Sequence, residues 1–88
     1  MTTIEEVKNF IDYNIKDMDK FINTNPYCTE PIDVINATES RCFGAVDFAI
    51  YCGLGYEPIS AMWDNYLEYF KKRRNEVRNE LRQKKRHD

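Results

Sequence analysis

The run Arg41-Cys42-Phe43-Gly44-Ala45-Val46-Asp47-Phe48-Ala49-Ile50-Tyr51-Cys52, closed by Gly53-Leu54-Gly55 and then Pro58, decides the fold. Its apolar residues follow helical spacing along three stripes. One is Ile35, Cys42, Val46 and Ala49; a second is Val34, Ala45, Phe48 and Cys52; a third is Phe43, Ile50 and Leu54. A helix that is apolar nearly all round is one that is buried nearly all round. The residues closing it are stop and start signals, a glycine after one helix and a proline in the first turn of the next. Working backwards, Thr29 is the expected N-cap, and Glu30 and Asp33 suit the positive end of the helix dipole. The spacing predicts a helix over 31–52.

Outward from this helix, the chain reads the same way on both sides. Upstream, Asn23-Thr24-Asn25-Pro26 ends a first helix, expected over 3–23 and opened by a Thr3/Glu6 capping box. Its stripe is Ile4, Val7, Ile11, Ile15, Met18 and Ile22, widened by Phe10 and Phe21. Downstream, Ile59, Met62, Trp63, Tyr66, Phe70, Val77 and Leu81 mark a third helix, expected over 58–85. Its rise gives about 42 Å against about 32 Å for the second helix. Val77 and Leu81 are therefore expected to overhang. The fold class is all-α: a single domain over 1–88, a three-helix antiparallel bundle with a long projecting C-terminal helix.

Two short neighbours cover only part of an all-round apolar helix, so the chain is expected to be a homo-oligomer. Gly44 costs a helix up to about 1 kcal/mol against alanine. With Ser40, Ala45, Ala37 and Ala49 it makes one side of the second helix small. Another backbone can approach there, either a neighbouring helix of the same chain or the second helix of another protomer. The expected self-association residues are Ser40, Gly44, Phe48, Val77 and Leu81. Arg41, Asp47 and Asp64 need partners if buried. The preferred reading pairs Arg41 with Asp64 or Asp47 across an interface; the other lets Arg41 hold an anion.

Size and composition exclude much. Eighty-eight residues with 42% hydrophobic and 32% charged residues make one globular domain, with six Tyr, five Phe and one Trp to build its core. No apolar run approaches the roughly 18 residues of a membrane span. Glu5, Glu6 and Lys8 break the stretch where a signal would lie. Cys28, Cys42 and Cys52 have no metal-ligand spacing and the single histidine is His87, so no metal and no cofactor are expected. Three reduced cysteines suit the cytoplasm. A cysteine nucleophile would lack its base. Glu39, Asp47, Glu57, Asp64 and Glu68 would need a cleft to act as acid and base. Gly53-Leu54-Gly55 follows a helix and not a strand, which removes the dinucleotide reading. The chain is not expected to be an enzyme.

Charge is lopsided. Residues 1–70 hold four cations against twelve carboxylates, net −8, and residues 71–88 hold nine cations against three, net +6. The basic tail, 71–88, is expected to contact nucleic acid, another protomer or solvent alone. The acidic body disfavours nucleic acid, and Glu68/Lys72 and Glu80/Lys84 match part of the charge within the helix. The expected binding residues are Arg41, Tyr51, Tyr56, Tyr69, Arg73 and Arg74, with Tyr56 and Tyr69 the surface anchors and Trp63 and Tyr66 serving the core.

The segment Arg41-Cys42-Phe43-Gly44-Ala45-Val46-x-Phe48-Ala49, followed by Met62-Trp63-Asp64, resembles a pattern in uncharacterised small helical proteins of low-GC Gram-positive bacteria and their phages or mobile elements. The resemblance implies no activity and no site residues. In size and charge the chain is also similar to phage-encoded inhibitors of host defence. The function expected is a non-catalytic protein-binding module, an inhibitor or regulator of a host protein. The alternatives are an oligomeric sponge that binds a small anionic ligand such as a nucleotide at subunit interfaces, and a weak nucleic-acid binder acting through its tail.

Overall fold

The computed structural model describes residues 3–24 and 31–86, with side chains through residue 82. It contains three helices, α1 (Ile4–Thr24), α2 (Pro31–Tyr51) and α3 (Tyr56–Arg86), and no strand among the described residues. The expected N-cap Thr29, together with Cys28, Asn25, Pro26 and His87, lies outside them.

Thr3 caps the start of α1. The Glu6 amide donates to Thr3 Oγ1 at 3.2 Å and the Val7 amide to the Thr3 carbonyl at 3.1 Å. Val7, Ile11 and Met18 enter the core; Ile15 and Ile22 are partly buried. The buried stripe also carries a polar residue, Asn14. Its amide donates to the Phe10 carbonyl at 2.8 Å, and its oxygen accepts from Arg41 at 3.2 Å, so both ends are satisfied. Phe10 and Phe21 remain about half exposed and flank the stripe.

α2 lies between its neighbours and packs closely on both, whereas the backbones of α1 and α3 approach each other less closely. Only one of the three apolar stripes is fully inside: Pro31, Ile35, Thr38, Cys42, Val46 and Ala49. Thr38 returns its hydroxyl to the Val34 carbonyl at 2.9 Å. As expected of an apolar helix with two short neighbours, part of α2 stays uncovered: Phe43, Phe48 and Tyr51 are exposed, because α1 and α3 occupy only one side of it.

α2 ends where the glycine predicted. Gly53 has φ of +103°, its amide donates to the Ile50 carbonyl at 3.0 Å, and the Leu54 amide reaches the Ala49 carbonyl at 3.1 Å. This pair of bonds satisfies carbonyls that the helix end would otherwise orphan. α3 starts at Tyr56, earlier than the proline suggested. Pro58 is then its third residue, still within the turn where a missing N–H costs nothing.

Ile59, Trp63, Phe70 and Val77 form the buried seam of α3. Trp63 lies between Phe43 (ring centroids 6.0 Å apart) and Phe70 (6.2 Å), and Tyr69 meets Phe70 edge-on at 5.9 Å. Val77 is only 3% exposed, which corrects its expected overhang. The eighteen-residue interval from Ile59 to Val77 matches that from Ala49 back to Pro31, so α2 and α3 keep pace to the very start of α2. The projection begins after Val77, and Leu81 is 38% exposed. The molecule measures 52 × 20 × 15 Å.

Candidate binding surface

The links across the helices sort the expected site residues into those already occupied and those left open. On one side, Asp19 of α1 gathers two groups from α3. Tyr69 Oη donates to its Oδ2 at 2.6 Å and Arg73 Nε to its Oδ1 at 3.0 Å. Arg73 also reaches Glu76 at 3.4 Å and Asn23 at 3.5 Å. One more link up the same seam, Tyr66 Oη donates to Asp12 at 2.6 Å. Across the other junction, Arg74 Nη1 donates to Glu39 Oε2 at 2.7 Å and to Asn36 at 3.4 Å.

These contacts correct three expectations. Tyr69 is a half-buried strut and not a surface anchor, and Arg73 and Arg74 are held by carboxylates of their own chain. Burial, reinforced by the hydrogen bonds to Asp12 and Asp19, pushes the Tyr66 and Tyr69 hydroxyls well above the ordinary tyrosine range. The crevice around Tyr69 and Arg73, about 320 Å³, is lined by Asp19, Asn23, Lys72 and Glu76, and these polar groups largely serve one another. Asp12 and Asp19 read in the sequence only as polar residues off the apolar stripe of the first helix, not as partners of the third. The signal was there: both are seven residues apart, as are Tyr66 and Arg73, which places two complementary pairs on facing stripes.

Arg41 is exposed and bonded to Asn14; Asp47 and Asp64 are also exposed. Each of these charges faces solvent, so none needs a partner to offset burial. Cys42, beneath Arg41, is fully buried, and burial pushes its thiol up to about 11, opposed in part by the Arg41 charge. Cys52 is an exposed free thiol. Among the described residues no three His, Cys, Asp or Glu side chains gather as a metal site, and no helix is long and apolar enough to cross a membrane.

What remains open is the outer side of α2. Tyr51 is 88% exposed and Phe48 62%, their rings stacked 6.5 Å apart. Tyr56 lies exposed at the start of α3. Ala37, Ser40 and Gly44 are exposed on the same side, and a Cβ built on Gly44 meets nothing within 4 Å. Gly44 therefore makes no room for α1 or α3. Phe43 bounds this side toward α3, above an apolar groove of about 370 Å³ formed with Ser40, Trp63 and Leu67. Phe10 and Tyr13 of α1 are further exposed aromatics that the sequence reading assigned to no surface. No family model, no curated protein and no solved structure matches the chain.

Proposed function

We propose that this protein acts by occupancy, as a non-catalytic protein-binding module whose working surface is the outer side of α2 and the corner it makes with α3. The supporting frame is an antiparallel bundle. Contacts between α2 and α3 run in opposite residue order, Asn36 and Glu39 meeting Arg74 and Phe43 meeting Trp63. Those between α1 and α3 run in the same order, Asp12 meeting Tyr66 and Asp19 meeting Arg73, so α1 runs against α2 as well. One observation carries the reading: Phe43, Phe48 and Tyr51 are held out of the core on a single helix, although the chain has polar residues enough to cover it. Exposed aromatics grouped on one rigid element are the anchors that protein interfaces use. An inhibitor or regulator needs no more machinery than this. The small-anion alternative loses two of its donors, since Arg73 and Arg74 are engaged by Asp19 and Glu39, and rests on Arg41.

The test is capture with the tagged full chain against a Tyr51→Ala/Tyr56→Ala variant of equal helicity. The reading expects a stoichiometric protein partner that the variant loses. Equal recovery of that partner by both proteins, or multiple turnovers of a substrate, would overturn it.

A further inference from the structure

The outer side of α2 is built as both halves of a joint. Ala37, Ser40, Arg41 and Gly44 are spaced i, i+3, i+4 and i+7, the four corners of a hole on a helix surface. Three of the corners are small, all four are exposed, and nothing lies over Gly44. One turn further along the same side stands Phe48, an exposed knob stacked on Tyr51. A surface that carries a knob and a matching hole side by side is self-complementary, as a two-fold interface requires.

We propose that α2 seats a second copy of this chain, the two α2 helices running in opposite directions about a two-fold axis beside Gly44. The proposal rests on the preceding reading of this side as a binding surface and names its occupant. In that arrangement residues equally far before and after Gly44 come to the same height. Phe48 of the partner subunit reaches the level of Ser40 and enters the hole, and Asp47 of the partner subunit comes level with Arg41. Symmetry forms each contact twice. Charge selects the direction. A parallel two-fold pair would set Arg41 against its own copy and Asp47 against its own, which repels, and would set one Phe48 against the other. The opposite direction matches charge with charge and knob with hole. Arg41 keeps its bond to Asn14 and still has donors for a carboxylate.

Sedimentation of the full chain over a wide concentration range tests this, with helicity measured in parallel. The wild-type chain is expected to dimerise. Gly44→Leu, which fills the hole, and Phe48→Ala, which removes the knob, should each weaken the dimer by roughly tenfold or more with unchanged helicity. Arg41→Asp and Asp47→Arg should each weaken it, and the double exchange should restore it. A monomer at high micromolar concentration overturns the proposal, as does a dimer indifferent to Phe48→Ala or a double exchange that fails to rescue. A monomeric wild type that still loses a captured partner in the Tyr51→Ala/Tyr56→Ala variant overturns self-association and leaves the binding surface standing. A monomer that captures nothing removes both.

Discussion

Asp19 is the residue on which the α1–α3 seam turns, because one carboxylate accepts from both Tyr69 and Arg73. Its side chain is about one-third exposed, so solvent screens part of the interaction. Asp19→Ala should lower unfolding free energy by about 1–2 kcal/mol, read by chemical denaturation. Proton linkage gives a second expectation. Cys42, Tyr66 and Tyr69 all hold their protons longer in the folded chain than their ordinary values of 9.0 and 10.0 allow. A folded value above the unfolded one favours the protonated fold. That contribution is complete below the unfolded value and drains as pH climbs through the folded one. The thermal midpoint should therefore begin to fall above about pH 9, led by the Cys42 thiol, and steepen above about pH 10 as the tyrosines join. Cys42→Ala should flatten the first part of that fall; an unchanged profile would refute the linkage.

Among the elements, α2 and the turn that closes it hold one glycine each, with opposite expected responses. Gly44 is helical and open, so Gly44→Ala should stabilise the monomer by up to about 1 kcal/mol. Gly53 sits at φ +103°, where a side chain is strained, and Gly53→Ala should cost about 1–2 kcal/mol. Calorimetry on the pair checks both signs. The punctuation that placed these glycines was legible in the sequence, as were the three helices, with ends displaced by at most two residues. Which stripe of α2 turns inward was not legible. Three apolar stripes of similar weight give no preferred face, and only the positions of α1 and α3 choose Ile35, Cys42, Val46 and Ala49 over Phe48 and Tyr51. Val77 was misread for a related reason. Helix lengths say how far two rods extend, not where one starts relative to the other. Of the two tyrosines expected as surface anchors, Tyr56 is exposed and Tyr69 is half-buried; Tyr51 is exposed as well. Tyr69, Arg73 and Arg74 have acidic partners 35–54 positions away in the chain, beyond the reach of any local spacing pattern.

At the scale of the molecule, the radius of gyration is 15.1 Å, against about 12 Å for a compact chain of this length. The elongation comes from α3, whose last turns extend past Val77. Truncation before Arg78 should therefore leave the thermal midpoint within a few degrees of the full chain, since the core ends at Val77. The acidic body predicts weak duplex binding by the full chain, and that binding should fall steeply with added salt. The arrangement of the seam also has a consequence for how the chain reaches this state. The close packing joins sequence neighbours, α1 to α2 and α2 to α3, while the α1–α3 seam of Tyr66, Tyr69 and Arg73 with Asp12 and Asp19 spans the longest loops. Local contacts form quickly, and long-range ones wait for loop closure. The two hairpins should thus assemble in microseconds to milliseconds, with the polar seam closing after the rate-limiting barrier. Asp19→Ala should then accelerate unfolding and leave the refolding rate nearly unchanged, so that what the seam controls is how long the folded chain lasts and not how fast it forms.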